Sequence, residues 1–222
     1  MVFRKLNWFI ADQVGINCPK ILRFCINLPL FFLQLFKFSF STPFESIRLH
    51  PCLHDRHSPA GDFNDEYFYQ DLFVAQHIYR SNPCSLLDIG SRINGFVSNV
   101  ASFRSLTIGD IRIKSPTALL SSIHLIPLDI TCQSSCLGLH SRFDAITCLH
   151  AIEHIGLGRY GDLISKSGVE VALNNISLLL SESGRLYITA PIGTPRVHFN
   201  SHRVFSFYSL LDLFSSTGLL LE

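Results

Sequence analysis

Along most of the chain, short apolar runs alternate with stretches of helical period. Segment 66–80 (EYFYQDLFVAQHIYR) places Phe68, Leu72, Ala75 and Ile78 on one helical face. Residues 85–89 (SLLDI) predict a buried strand ending at Gly90, and 95–103 a helix with Phe96, Val97, Val100 and Phe103 along it. Further strands are expected at 106–108, 125–128, 143–149 and 185–190, with helices at 169–180 and 206–215. A turn is expected at 183–184, and one more strand begins at 218. This alternation predicts an α/β fold: a mostly parallel, Rossmann-like sheet with helices on both faces, over residues 66–222.

The first 65 residues follow another pattern. Residues 1–42 are apolar and basic and are expected to be helical, an appendage to the main domain. Residues 43–65 carry prolines, Gly61 and several Asn and Asp, and read as a linker. The apolar run 24–36 (FCINLPLFFLQLF) is 13 residues long, whereas a bilayer-spanning helix needs about 20. It lies far from Met1 with no small-residue cleavage site, unlike a secretory signal. Arg4, Lys5, Lys20, Arg23 and Lys37 against Asp12 leave residues 1–40 at +4. The expected roles are a helix docked on the core or one in peripheral contact with a membrane surface.

Composition narrows the classes. Hydrophobic residues make up 47% of the 222 and charged residues 16%, which excludes a disordered chain. A net charge of +1 disfavours nucleic acid as a partner. Seven cysteines at irregular spacing form no disulfide framework, so a reducing, cytoplasmic setting is expected.

Three predicted strands end in acids: Asp88, Asp110 and Asp129. In open α/β sheets, ligands bind beyond the carboxyl ends of the strands. The first strand runs into GSRING (90–95), where glycine lets the backbone approach a ligand. Asp110 follows Asp88 by 22 residues, close to the spacing at which a carboxylate meets a ribose hydroxyl. These features point to a nucleoside cofactor.

LLDIGSRINGF resembles the first motif of class I S-adenosylmethionine-dependent methyltransferases. The resemblance implies S-adenosylmethionine as cofactor, with Asp110 on the ribose and Asp129 beside the adenine. The cofactor set would be Asp88, Gly90, Ser91, Arg92, Gly95, Asp110 and Asp129. FDAITCLHAIEHIG resembles the fourth-strand segment and LLLSESGRLYITAPIG the helix, turn and fifth strand. More narrowly, EHIGLGRYGD and VHFNSHRVFS resemble an uncharacterised methyltransferase-like family, a domain of unknown function. Two departures stand out. The usual GxGxG is GSRING here, and the chain stops at Glu222, so the sheet is expected to lack its last strand.

On the acceptor side, His154, His198 and His202 are candidate bases, because an imidazole near neutral pKa can take the acceptor proton. The same histidines also suit hydrogen-bonded loop ends. Arg159, Tyr160, Asn200 and Arg203 are candidates for holding a small-molecule or glycan acceptor, with Arg196 a further cation. A metal on Glu153, His154, His198 and His202 is disfavoured by spacing, and His50, Cys52, His54 and His57 read as an ordinary loop, as do Cys132 and Cys136. Two other functions compete: a non-catalytic binding or scaffold protein on the same fold, and a nicotinamide-dependent oxidoreductase, which the absence of GxGxxG disfavours.

Overall fold

The computed structural model describes Ala11 and residues 14–41, 49–53, 66–91 and 93–222. Arg92, His54, His57 and most of the expected linker lie outside the described residues. The chain divides into two compact units, Met1–Phe63 and Asn64–Glu222.

In the first unit, helix α1 (Cys18–Ser41) is 24 residues long and runs through Pro29. The apolar run read from sequence is therefore the middle of a longer helix. Asn27 is its buried polar residue, and its Nδ2 donates to Leu53 O at 2.8 Å.

The second unit begins with α2 (Glu66–Ser81) and β1 (Leu86–Ile89). A one-turn π-type segment, Ile93–Val97, leads into the short α3 (Ser98–Ala101), where a longer helix is expected from sequence. Strands β2 (Leu106–Asp110), β3 (Thr117–Leu120) and β4 (Ile123–Pro127) follow, then the short helix α4 (Gln133–Cys136) and β5 (Phe143–Leu149). The chain continues through α5 (Gly168–Leu179), β6 (Leu180–Thr189), the hairpin β7 (Arg196–His198) and β8 (His202–Val204), and α6 (Phe207–Ser216). Ser206 caps α6 by accepting from Ser209 N.

The main sheet has the order β3-β4-β2-β1-β5-β6. Only β3 is antiparallel, folded back on β4. Period-two alternation sends successive side chains to opposite faces. Leu87, Ile89, Ile146 and Cys148 face α5, against Leu173 and Ile176. Leu86, Ala145 and Leu149 face the other way, against Val74 and Ile78 of α2 and against Phe96. Helices thus cover both faces of a mostly parallel sheet, the Rossmann-like architecture expected from sequence.

Two local expectations change. The turn at 183–184 is absorbed into β6 as an irregularity: Phe143 pairs with Leu180, and Ala145 next pairs with Arg185. Residues 218–222 form no strand, and no strand among the described residues pairs with the outer edge of β6.

Candidate active site

The tips of three adjacent parallel strands meet at one end of the sheet. Ile89 pairs with Gly109 and Asp110 with Pro127, so Gly90, Asp110 and Asp129 leave the sheet side by side. Gly90 N donates to Gly109 O at 3.2 Å. Gly90 has φ +72°, a left-handed conformation that favours glycine, and turns the chain out of β1.

Asp88 is fully buried on the α2 face of β1. Its Oδ1 accepts from Thr147 Oγ1 at 2.6 Å and from Ser91 Oγ at 2.7 Å, whereas its Oδ2 has no partner among the described residues. Burial pushes its carboxyl up to about 6, against the lowering effect of the Thr147 and Ser91 hydrogen bonds.

Asp110 sits at the crevice beside Gly90, but its carboxylate is engaged. Arg112 Nε donates to Oδ1 at 2.8 Å and Nη2 to Oδ2 at 2.5 Å, and Arg112 N also reaches Oδ1 at 2.8 Å. Burial pushes this carboxyl up, but the hydrogen bonds and charge of Arg112 outweigh it and hold it below the usual range. Asp129 Oδ1 accepts from Thr131 N and Thr131 Oγ1, at 2.9 and 2.7 Å.

Gly95 is shaped by a neighbour: a Cβ there would collide with the Asp71 carboxylate of α2.

The tip of β5 carries the second half of the site. His150 has φ +48°, an uncommon backbone for a side chain of its size. Its N–H donates to Thr189 Oγ1 at 3.0 Å, at the tip of β6. Its Nδ1 donates to Oε1 of Glu153 at 3.0 Å, and that glutamate is buried, with Oε2 lacking a partner among the described residues. Glu153 raises the His150 imidazole above its usual value. This His–Glu pair was not singled out from sequence, although its i, i+3 spacing was visible there.

His154 Nδ1 donates to Ser201 O at 2.6 Å, and its Nε2 lies 4.0 Å from Glu153 Oε1. Its ring meets Tyr160 edge-on at 5.6 Å. Arg159 Nη1 also donates to Ser201 O, at 3.2 Å. The Tyr160 ring lies beneath two guanidiniums, Arg112 at 4.8 Å and Arg159 at 5.1 Å. Arg112 thereby links the β2 tip to the loop after β5, across the tip of β1.

That loop folds around a single carboxylate. Asp162 accepts from Gly156 N at 2.6 Å, Gly158 N at 3.3 Å and Tyr160 N at 3.3 Å. Arg203 ties it down from outside, donating to Ile155 O and, at 3.3 Å, to Ser165 O.

The β7–β8 hairpin supplies the remaining candidates. The rings of His198 and His202 lie 4.8 Å apart. His198 Nε2 accepts from Arg196 Nε at 2.9 Å, while His202 Nδ1 and Ser201 Oγ lie 2.9 Å apart. Burial, then His198 and His154, lower the His202 imidazole below its usual value. Asn200 is exposed at the hairpin tip. His154, Arg159 and His202 are thus joined through Ser201, with Tyr160 packed on His154 and Arg159, whereas the Arg203 guanidinium is taken up by backbone carbonyls.

A mostly parallel sheet of this order with helices on both faces is the class I S-adenosylmethionine-dependent methyltransferase-like fold. Within that class the chain belongs to DUF268, the family described as Caenorhabditis protein of unknown function, whose model matches residues 101–219. No curated protein sequence matches it. Among solved structures it is similar to 1,6-didemethyltoxoflavin-N1-methyltransferase of Burkholderia thailandensis, solved with 1,6-didemethyltoxoflavin and S-adenosylhomocysteine. That likeness has 14% identity and a TM-score of 0.50, over 68% of this chain and 67% of that one. A candidate O-methyltransferase from Nostoc punctiforme is similar at 14% identity and a TM-score of 0.51, over 69% of this chain. The chain spans about half of that protein, 51% of its length. At such identities the likeness is one of fold.

Proposed function

We propose that the chain is an S-adenosylmethionine-dependent methyltransferase acting on a small-molecule or glycan-type acceptor. The observation that carries the reading is the Asp88 carboxylate. It is buried and anchored on one oxygen, with the other free, beside a left-handed Gly90 at the β1 tip. A buried acceptor atom of this kind suits a cationic donor such as the ammonium of the cofactor's methionine moiety.

Gly90 and Ser91 would line the methionine moiety, Asp110 the ribose and Asp129 the adenine edge. The bound cofactor supplies an electrophilic sulfonium methyl. The protein's part is orientation and proton removal. Because His150 donates from Nδ1 to Glu153, its Nε2 presents the lone pair that takes the acceptor proton, and Glu153 stabilises the resulting imidazolium. His154, whose Nδ1 is turned to Ser201 O, is the second candidate base, followed by His202; His198 is engaged by Arg196. Arg159 and Tyr160 border the acceptor side, and Arg203 supports them by holding their loop.

One observation favours the second reading, a non-catalytic binding protein. Arg112 occupies both oxygens of Asp110, the pair a ribose diol would need. In the methyltransferase reading, Arg112 swings off when the ribose arrives.

The test incubates the full chain with methyl-labelled S-adenosylmethionine and a panel of hydroxylated small molecules and sugars. Acceptor-dependent formation of S-adenosylhomocysteine, lowered at least about a hundredfold by His150→Gln, is expected. Cofactor binding without turnover on any acceptor would favour the second reading.

A further inference from the structure

Helix α1 has three faces. Phe24, Asn27, Leu28, Phe31 and Leu35 recur at three- and four-residue steps and are its less exposed side chains, with Asn27 bonded to Leu53 O. On the opposite side lies an unbroken apolar stripe at the same spacing: Leu22, Ile26, Pro29 and Leu33. Leu22, Ile26 and Leu33 are 62%, 66% and 61% exposed, with Ile21 and Phe32 widening the stripe. An exposed apolar surface of this length is rare unless something covers it. Between these two faces stands Arg23, and Lys20 is exposed near the helix start on the Asn27 side.

We infer that α1 is an interfacial membrane helix, lying in the plane of an anionic lipid surface with Leu22, Ile26 and Leu33 inserted. Three features favour lipid over a second copy of the chain. The stripe runs about 16 Å along the axis from Leu22 to Leu33, parallel to a surface. Arg23, flanking the stripe, occupies the level at which a snorkelling side chain meets headgroup phosphates or carboxylates. Basic residues also dominate the sequence up to the first turn of the stripe: Arg4, Lys5, Lys20 and Arg23 against Asp12. Such a cationic segment attracts anionic lipid and repels its own copy. Residues Cys18–Phe38 are long and apolar enough to cross a membrane, but Lys20, Arg23 and Lys37 fall within that length, which favours lying in the surface over crossing it. The inference is independent of the methyltransferase reading.

Co-sedimentation of the full chain with vesicles tests it. The comparison sets pure phosphatidylcholine against phosphatidylcholine with about a quarter phosphatidylserine. Binding to the anionic vesicles, at least about tenfold tighter than to neutral ones and weakened by salt, is expected. The double substitutions Ile26→Asp with Leu33→Asp, and Lys20→Glu with Arg23→Glu, alter exposed positions. Each should weaken partitioning by at least about tenfold. No sedimentation of the wild-type chain, equal binding to both vesicle types, or undiminished binding by the Ile26/Leu33 variant would overturn the inference. So would a wild-type dimer in solution that ignores lipid.

Discussion

At the residue scale, two carboxylates at neighbouring strand tips are held in opposite ways. Asp88 is desolvated and its pKa rises to about 6, whereas Arg112 keeps that of Asp110 low. The Asp88 shift has a definite sign for stability. Below an unfolded pKa near 3.8, both folded and unfolded chains hold the proton. Between there and about 6, the folded chain holds more protons, so stability falls as pH rises through that window. Above it the full penalty applies, about 3 kcal/mol at 1.36 kcal/mol per pKa unit. Asp88→Asn keeps an oxygen for Ser91 and Thr147. It should raise the thermal midpoint at pH 8, with the gain largely gone at pH 4, as measured by scanning calorimetry. Arg112 gives a second prediction. A guanidinium fork and a ribose diol both need one donor on each oxygen of Asp110, so they compete. Arg112→Gln should tighten S-adenosylhomocysteine binding about tenfold, near 1.4 kcal/mol, while Asp110→Asn weakens it. Weaker binding by Arg112→Gln would show that Arg112 assists the cofactor.

At the scale of elements, the loop after β5 depends on Asp162 as the core depends on α5. Asp162→Ala leaves Gly156, Gly158 and Tyr160 without their N–H acceptor and should cost about 1–3 kcal/mol. Faster amide exchange at those three positions, with β1 and β5 unchanged, would verify it. Leu173→Ala, at a fully buried position of α5, should cost about 2–5 kcal/mol in denaturant unfolding. Elements with one strong periodicity were legible in the sequence: 143–149 matches β5, and Asp110 closes β2. The β7–β8 hairpin and β3 were not legible, because their strands are only three or four residues long and do not alternate cleanly. Ser201, which gathers His154 and Arg159 through its carbonyl, carries no side-chain signal of that role. The His150–Glu153 pair was hidden for another reason. Its spacing was plain, but burial of Glu153, which makes it a device rather than a surface pair, depends on the packed sheet. Arg112 stood two residues past Asp110 without any pattern to mark it.

At the scale of the molecule, the mostly parallel sheet gathers residues from β1, β2 and β5 at one end, with an apolar layer packed on each of its faces. The acids of the β1 and β2 tips and the His–Glu pair of the β5 tip are adjacent because β1 lies between β2 and β5. The expected division of labour follows, cofactor over β1 and β2 and acceptor over β5 and the hairpin. Everything functional rests on a nucleoside being gripped at the first of these places. Isothermal titration of the folded full chain with S-adenosylhomocysteine measures that directly. Saturable one-to-one binding that Asp110→Ala abolishes is predicted, and an absence of binding heat across a range of temperatures would contradict it.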